Sequence, residues 1–483
     1  MRKTAKLGSL LVSLVAAVIT AFPQNGTVTL EGNWMGALDL AGAKLRLVLK
    51  VEKGASGYTA KLDSIDQGAK DLPIDTVTFE GGEVAFAAAQ FGMAYKGAMN
   101  GDGNEIVGKF SQGGSSSAFV FTRISEAPKV LTRPQDPVKP YPYNEESVTY
   151  RNVTDNLKLA GTLTLPRAVG KHSAVILISG SGGQDRDSFV FGHRPFLVLA
   201  DHLTRNGIAV LRVDDRGMGE SELGSLDATS ENFMGDVLAG VEFLKSRNDI
   251  DPKKIGLIGH SEGGIIAPMV AAKSRDIAFI VLLAGMGQRG EDVIYTQNEL
   301  LGKAAGTPAD AIANNIKLAR SAHAVLKAHA DKKQIEAGIN GMLDKYAAGM
   351  TDADRKAFEP AAANIRSSMG IYTMPWFRYF IMFDPVHTLK QVKVPVLALN
   401  GELDLQVAYK ENLGPIAAAL KAGKNKDVTT KSFPKLNHLF QTSQTGQISE
   451  YAQIDETFSP EVLTTISEWI RKRLSKLRER SEE

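Results

Sequence analysis

The sequence predicts an α/β fold in which a mostly parallel sheet has helices on both faces, carries a helical insertion and follows a small antiparallel β domain. Before about residue 125, short runs of alternating apolar and polar residues are broken by glycine, which is typical of antiparallel strands. After about residue 145, continuous apolar runs alternate with helical segments, as in a buried parallel sheet. An alanine-rich stretch of helical periodicity interrupts that alternation between Gly285 and Asp384.

The composition sets the size and class of the protein. A chain of 483 residues is too long for one ordinary core, so two or three domains are expected. Hydrophobic residues make up 43% and charged residues 23%, which is typical of globular proteins. The net charge of +2 gives no reason to expect a nucleic-acid partner. Because the chain has no cysteine, it can form neither a disulfide nor a lipid-modified cysteine.

Residues 1–21 are predicted to be a signal peptide. Three of the first six residues are basic, and the run Leu7 to Ile19 is apolar and of the right length. A cleavage site is expected after Ala21, although the large side chain of Ile19 makes it imperfect. The alternative is an uncleaved membrane anchor, for which the run is short. We therefore expect export to the bacterial periplasm or the medium, with no stable membrane insertion after processing.

Residues 22–125 are predicted to form the antiparallel β domain, a barrel or a sandwich. The predicted strands include Leu45–Leu49, Thr76–Phe79, Val84–Phe86 and Ala118–Phe121. Trp34 is interpreted as a core residue, with stacking on a ligand as the alternative. No catalytic group of residues is visible in this domain. Residues 126–144 contain five prolines and are predicted to be a stiff, extended linker.

The α/β domain is predicted from residues 145–285 and 386–483. Its expected elements are a hairpin at Val148–Asn152 and Leu157–Leu165, strands at Ala174–Ser179, Ile208–Val213, Phe279–Leu283, Val394–Leu399 and Val428–Phe433, and helices at Phe196–Arg205, Phe233–Ser246 and Pro460–Leu477. Residues 286–385 are predicted to be a helical cap over the carboxyl edge of the sheet. The motif Thr307-Pro308-Ala309-Asp310 predicts one helix start within it. The aromatic end of the cap either lines an acyl pocket or joins the cap to the core (Tyr372, Trp376, Phe377, Tyr379, Phe380).

The stretch Lys254 to Gly264 predicts a nucleophile. Ile255 to Ile258 form an apolar strand, Gly259-His260-Ser261-Glu262-Gly263 matches G-x-S-x-G, and a helix follows. Strand, sharp turn and helix are the context of a nucleophile elbow, which exposes the serine hydroxyl above the sheet. A glycine-rich turn with an ordinary serine is the alternative.

An acid and a base are expected after later strands of the same sheet. A serine hydroxyl needs a base to remove its proton and a carboxylate to orient that base. Asp404 follows the strand Val394–Leu399 and His438 follows the strand Val428–Phe433. The order Ser261, Asp404, His438 is that of one class of hydrolases. Glu402 is the competing acid. The side chain of His260 is expected to point away from the serine.

An oxyanion hole is expected from two backbone N–H groups. One belongs to Glu262, directly after the nucleophile, and the other to the glycine-rich loop after the strand Ala174–Ser179, where Ser181 is the chosen donor. This loop lacks the third glycine of a dinucleotide site, and the chain has no G-K-[ST] phosphate loop. The other histidines show no metal-ligand spacing. No cofactor and no metal are therefore predicted.

With these residues in place, the region from about Glu145 to Leu477 resembles the α/β-hydrolase superfamily. Within it the chain is similar to bacterial serine esterases (carboxylesterases) that carry an N-terminal β domain. The resemblance rests on SGSGGQDRD, RVDDRGMGES, GHSEGG, NGELD and LNHLF. It implies the triad Ser261, Asp404 and His438, a helical cap and a small-molecule carboxylic ester of small to medium acyl length as substrate. Ser181 departs from the bulky oxyanion residue that is usual in the family.

Two other functions remain open. A serine peptidase of the same fold is the first alternative, although about a hundred N-terminal residues cannot supply a β-propeller of four or more blades. A non-catalytic binding protein is the second, and the three-part site argues against it. The sequence leaves the natural substrate, the role of the β domain and the oligomeric state open.

Overall fold

A computed structural model describes residues 29–40, 43–55, 57–65, 69–112, 115–126 and 133–482. The predicted signal peptide, residues 1–21, and residues 127–132 of the predicted linker therefore lie outside the described residues. Among the helices in the described ranges, none combines the length and the apolar composition needed to cross a bilayer.

The N-terminal part is a nine-stranded, all-antiparallel sheet. Its strands are β1 (Gly32–Leu40), β2 (Ala43–Gly54), β3 (Gly57–Ser64), β4 (Ala69–Pro73), β5 (Thr76–Glu80), β6 (Glu83–Ala88), β7 (Met93–Met99), β8 (Glu105–Gln112) and β9 (Ser115–Ile124). The strand order is β4-β3-β2-β1-β9-β8-β7-β6-β5, so the two edge strands, β4 and β5, follow each other in sequence.

The short connection between β4 and β5 brings the two edges of this sheet together. The backbone N–H of Ile74 donates to Ala60 of β3 at 3.4 Å, and that of Asp75 donates to Ala87 of β6 at 2.8 Å. The sheet is thereby rolled into a barrel around one apolar core. Trp34 is fully buried in that core, as predicted, and its indole N–H donates to the carbonyl of Leu30 at 2.8 Å. Of the two predicted forms, barrel and sandwich, the chain adopts the barrel.

Residues 133–144 of the predicted linker pack on the α/β domain, whereas the proline content predicts a stiff spacer. Arg133 is buried, and its guanidinium donates to four carbonyl groups of that domain, those of Phe191, Gly192, Ala452 and Ile454. The side-chain amide of Gln135 donates to the carbonyl of Phe458 and its oxygen accepts from two N–H groups nearby.

The second sheet has eight strands in the order β10-β11-β13-β12-β14-β15-β16-β17. They are β10 (Asn144–Asn152), β11 (Leu157–Leu165), β12 (His172–Ile178), β13 (Ile208–Val213), β14 (Ile250–His260), β15 (Ile277–Leu283), β16 (Val396–Gly401) and β17 (Val428–Phe433). The hairpin β10–β11 is antiparallel to its neighbour β13, and the six strands from β13 to β17 are parallel. The strand order reverses around β12, and ligands of such sheets bind at the carboxyl edge beside this point.

Helices cover both faces of this sheet, as the continuous apolar strands predict. One face packs on α1 (Pro195–Arg205) and on α12 (Pro460–Glu482). The opposite face packs on α2 (Ser230–Ser246), α3 (Gly263–Lys273), α10 (Pro385–Gln391) and α11 (Tyr409–Ala422). Alternate residues of each strand face opposite layers: Val175 of β12 belongs to the first core, and Ile176 belongs to the second.

Six helices make up the insertion between β15 and α10. They are α4 (Gly290–Ala304), α5 (Ala309–Ala328), α6 (Lys332–Ala348), α7 (Asp352–Ser367), α8 (Met369–Tyr372) and α9 (Pro375–Met382). The helical periodicity predicted for this insertion is present in α6, where Ile335, Ile339 and Leu343 are buried on one face. Helix α5 begins one residue later than its predicted start, because Pro308 and not Thr307 precedes the first helical residue.

Candidate active site

Ser261 lies on a sharp turn between β14 and α3. Its backbone has φ of 54°, a left-handed conformation that costs a non-glycine residue about 1–3 kcal/mol. A side chain at Gly259 would place its Cβ 2.0 Å from the carbonyl oxygen of Gly263, so this close approach of strand and helix requires glycine. The N–H of Ser261 donates to Leu283 of β15 at 2.9 Å, which fixes the turn at the carboxyl edge of the sheet.

Asp404 and His438 meet because β16 and β17 are parallel neighbours that end at this same edge. The Nδ1 atom of His438 lies 2.8 Å from Oδ2 of Asp404, and both side chains are almost fully buried. The other carboxylate oxygen accepts the N–H groups of Gln406 and Val407, each at 2.8 Å. Glu402 instead accepts from Ser432 at 2.7 Å, so it is not the partner of the histidine.

Ser261 and His438 line one cavity of about 330 Å³, together with Gly180 and Ser181 of the loop after β12. The cap closes this cavity from above with Trp376, Phe377 and Phe380. Among the residues that the structure describes, the Ser261 hydroxyl has no hydrogen-bond partner. In the absence of substrate, catalytic hydrogen bonds are often long or poorly aligned. The positions of Ser261 and His438 on one cavity are therefore compatible with proton transfer from serine to histidine.

The loop after β12 lies against the serine. A Cβ atom built on Gly180 would come 3.2 Å from the Cβ of Ser261, and Gly182 has φ of 89°. Two aspartates after β13 hold this loop. Asp214 accepts from the guanidinium and the backbone N–H of Arg186, and Asp215 accepts from the Ser179 hydroxyl and the N–H of Gln184. Burial raises the pKa of Asp215 to about 7.

The side chain of Glu262 has a role that the sequence did not indicate, since only its backbone N–H was considered. It is 2% exposed, accepts the Ser230 hydroxyl at 2.6 Å and accepts the indole N–H of Trp376 at 2.8 Å. Burial raises the pKa of this carboxyl, and hydrogen bonds from Ser230, Trp376 and Ser181 partly oppose that rise. Glu262 therefore joins the elbow, α2, the loop after β12 and the cap.

The side chain of His260, which was expected to point away from the serine, packs beside the ring of His438. Its Nε2 atom is 2.9 Å from the carbonyl oxygen of His438, and the two rings are 4.7 Å apart. Burial lowers the pKa of His260 to about 3, so the ring is neutral at pH 7 and Nε2–H is the donor. It thereby positions the segment that carries His438. The only sequence signal was its place next to Ser261.

The structure brings together all five of the residues that the sequence analysis proposed: Ser261, Asp404, His438, Ser181 and Glu262. In the described parts of the chain, no group of three or more histidine, aspartate or glutamate side chains is arranged to hold a metal ion. The arrangement is suited to nucleophilic attack by serine with a histidine base and an aspartate that orients it.

Comparison with known proteins finds partial relatives. The esterase EstD of Thermotoga maritima is 27% identical over 201 residues, which are 40% of this chain and 47% of that protein. The thiohydrolase aneE of Aspergillus aculeatus is 32% identical over 143 residues, 29% of this chain and 42% of that protein. The chain thus spans less than half the length of either relative. The solved Pyrococcus furiosus esterase Pf2001 is 16% identical, with a TM-score of 0.40, over 68% of this chain and 91% of that one.

The chain also matches a family model. It describes the alpha/beta hydrolase family and matches residues 175–450, more than half of the chain. The matched segment begins within β12 and contains Ser261, Asp404 and His438 together with the cap. The topology of the second sheet and its serine turn agree with this match. The chain therefore belongs to the alpha/beta hydrolase family.

Proposed function

We propose that the protein is a serine hydrolase that cleaves carboxylic esters of small to medium acyl chains through an acyl-enzyme. The observation that carries the proposal is the hydrogen-bonded pair Asp404–His438 on the cavity that also contains Ser261. The esterase among the relatives of the chain supports the same activity.

In the proposed first step, Nε2 of His438 takes the proton of Ser261 as Oγ attacks the ester carbonyl carbon. Asp404 holds Nδ1–H and stabilises the imidazolium that forms. The C–O bond to the alcohol then breaks, the imidazolium protonates the leaving alkoxide, and the acyl group stays on Ser261. Water attacks this acyl-enzyme with His438 again as base, which releases the carboxylic acid and restores the serine.

The developing oxyanion is assigned to the N–H groups of Glu262 and Ser181. Glu262 precedes the first turn of α3, where backbone N–H groups have no partner within the helix. Ser181 lies on the same cavity, and its loop approaches Ser261 closely at Gly180. Two fixed N–H donors in a covered site stabilise the charge without reorganising during the reaction.

The proposal is tested by labelling with a fluorophosphonate and by hydrolysis of p-nitrophenyl butyrate. The wild-type protein should be labelled on Ser261, whereas Ser261→Ala should not be labelled. Ser261→Ala and His438→Ala should each reduce kcat/KM by about 10⁴-fold or more, and the double variant should lose little more, because the residues act as one unit. A folded protein that neither reacts with the probe nor hydrolyses esters would instead be a binding protein.

We also propose export to the bacterial periplasm or medium, a proposal that rests on the sequence of residues 1–21 alone. N-terminal sequencing after expression in a bacterium tests it. The mature protein should begin shortly after Ala21 and be recovered in the periplasm or the medium. An intact Met1 in a membrane fraction would contradict export in soluble form.

A further inference from the structure

A second cavity, of about 520 Å³, adjoins the catalytic cavity. The two share Gly180, Ser181 and Trp376 as lining residues, so the loop after β12 and one ring of the cap separate them. The second cavity lies at the carboxyl ends of β12 and β13 and reaches the start of α2. We call it the side chamber. None of the proposed catalytic residues other than Ser181 contributes to its lining.

The walls and the rim of the side chamber are mainly apolar. The buried wall includes Leu159, Ile176, Val237 and Ile266. At the rim, Leu223 and Leu226 are 62% and 82% exposed, and Met374 of the cap is 48% exposed. Apolar side chains left in solvent around an opening favour the entry of an apolar ligand.

Among the described residues, the carboxyl group of Asp215 on this lining has no positively charged partner. Asp215 accepts from the Ser179 hydroxyl at 2.8 and 2.9 Å and from the N–H of Gln184 at 2.9 Å. The two other carboxylates of the lining are paired, Asp214 with Arg186 and Asp236 with Arg216. Within the described residues, Asp215 forms no ion pair. Since a carboxylate has about four acceptor positions and only two donors reach this one, it can accept from a ligand.

A second acidic side chain, that of Glu262, influences Asp215. In the part of the chain that the structure describes, Glu262 is also buried without a positively charged partner, and its charge adds to the effect of burial in raising the pKa of Asp215. A ligand group that donates a hydrogen bond relieves this unfavourable state. Above about pH 7, where Asp215 is ionised, a ligand carboxylate in the same place would meet a like charge in apolar surroundings, which strengthen the repulsion.

We propose that the side chamber binds the acyl or the alcohol chain of the ester and that Asp215 selects a chain bearing a hydrogen-bond donor, a hydroxyl or an ammonium group, over one bearing a carboxylate. This inference rests on the proposed ester hydrolysis and names its substrate class. A site that binds a polar substituent through a buried group discriminates strongly against analogues that cannot pair with that group.

The test uses two series of esters whose chains have six or eight carbons and carry the same four terminal groups. In the first, p-nitrophenyl esters carry acyl chains ending in methyl, hydroxyl, ammonium or carboxylate. In the second, butyrate esters carry alcohol chains with the same four ends. In one of the series, kcat/KM for the hydroxyl or ammonium end should exceed that for the carboxylate end by about tenfold or more. Asp215→Asn should reduce this ratio of kcat/KM values at least about fivefold, because asparagine has nearly the shape of aspartate but no charge.

A second variant narrows the side chamber without touching Asp215. Ala228→Leu enlarges a side chain of the lining and should lower kcat/KM for the six- and eight-carbon esters of the responding series at least about fivefold, with acetate esters unaffected. The control is Ala330→Leu, which enlarges an exposed alanine of a different cavity, lined mainly by residues of the cap, and should change kcat/KM for neither the longer esters nor the acetate esters.

The outcomes separate this inference from the proposed function. Hydrolysis of p-nitrophenyl acetate that depends on Ser261 supports the proposed function on its own. If that activity is present and neither series distinguishes its ends, the selection by Asp215 is wrong. If Ala228→Leu leaves every longer ester unaffected, the side chamber does not bind substrate.

Discussion

Asp404 is held by three hydrogen bonds, one from the imidazole and two from backbone N–H groups, and Glu402 takes part in none of them. The two carboxylates are only two residues apart, yet they point to different partners. The N–H of Glu402 donates to Phe433 of the neighbouring strand, and its side chain accepts from Ser432 of that strand. The turn after β16 then carries Asp404 back towards His438. The backbone, and not the side-chain chemistry, therefore decides which acid orients the histidine.

The matched pair Asp404→Asn and Glu402→Gln tests this at the residue scale. Asp404→Asn should lower kcat about 10⁴-fold, because an amide neither stabilises the imidazolium nor enforces the required tautomer. Glu402→Gln should stay within about twofold of the wild-type rate, since its amide can still accept from Ser432. Ester hydrolysis and thermal unfolding are measured on both variants. A large loss in Glu402→Gln with an active Asp404→Asn would reverse the assignment.

A site residue could be predicted from the sequence when its position follows from the order of the strands and from the point where a strand ends. Asp404 and His438 each follow a recognisable buried strand, and parallel neighbours end at one edge. The side-chain bonds of Glu262 could not be predicted, because Ser230 and Trp376 lie 32 and 114 residues away in the chain. Asp215 was visible only as part of a motif. Its missing cation depends on where Arg186 and Arg216 point.

At the scale of elements, the cap is joined to the elbow through a hydrogen bond between the half-buried side chain of Trp376 and the buried side chain of Glu262. Trp376 belongs to the aromatic end of the insertion, for which both an acyl pocket and a packing role were open. Its N–H donates to Glu262, which joins the cap to the core, and its ring lines the cavity of Ser261, where an acyl pocket stays a prediction. Phe377 and Phe380 line the same cavity and are themselves part of the core. Helical periodicity predicted the helices of the cap but not which of its rings face the serine.

This covered cavity leads us to expect a limited acyl length. Each methylene that enters an apolar pocket contributes about 0.8 kcal/mol, and the gain stops when the chain meets a wall. On p-nitrophenyl esters with unsubstituted acyl chains, kcat/KM should peak between about two and eight carbons. Aminoacyl amides should be poor substrates. Efficient release of N-terminal dipeptides, with weak ester hydrolysis, would favour the peptidase alternative.

Arg133 carries the attachment of the linker segment to the α/β domain. Its guanidinium donates to four carbonyl groups, two before α1 and two near the C-terminal helix. Arg133→Ala should lower the free energy of unfolding by about 2–4 kcal/mol, because the carbonyl groups lose a charged donor in a buried place. The control is Arg167→Ala, an exposed arginine with a bond to one carbonyl, which should cost less than about 0.5 kcal/mol. Thermal unfolding of both variants decides whether the attachment stabilises the domain.

At the scale of the whole molecule, buried ionisable groups make stability depend on pH in two opposite directions. Burial lowers the pKa of His193 and of His323, each to about 4, and that of His260 to about 3. Burial raises the pKa of Asp215 to about 7. The histidines are therefore held neutral at pH values at which the unfolded chain would protonate them. Asp215 holds its proton at pH values at which the unfolded chain would release it.

These directions give opposite predictions for two variants. The unfolded histidine titrates near 6.5, so His323 reduces the stability of the fold as the pH falls from about 6.5 towards 4. The unfolded aspartate titrates near 3.8, so the contribution of Asp215 is complete below that value and is lost as the pH rises towards 7.

Unfolding by urea at pH 7.5 and pH 5 measures both effects. Between pH 7.5 and pH 5, the free energy of unfolding of His323→Phe should rise by about 2 kcal/mol relative to that of the wild type, because a phenyl ring binds no proton on unfolding. Over the same interval, the free energy of unfolding of Asp215→Asn should fall by about 2–3 kcal/mol relative to that of the wild type, because asparagine lacks the proton that stabilises the wild type in acid. Burial is the main cause of the lowered pKa of His323; the charge of Glu291 opposes it, and the charges of Lys327 and Arg320 add to it. If the free energies of unfolding of both variants, relative to the wild type, change in the same direction between these two pH values, burial does not hold these two side chains neutral.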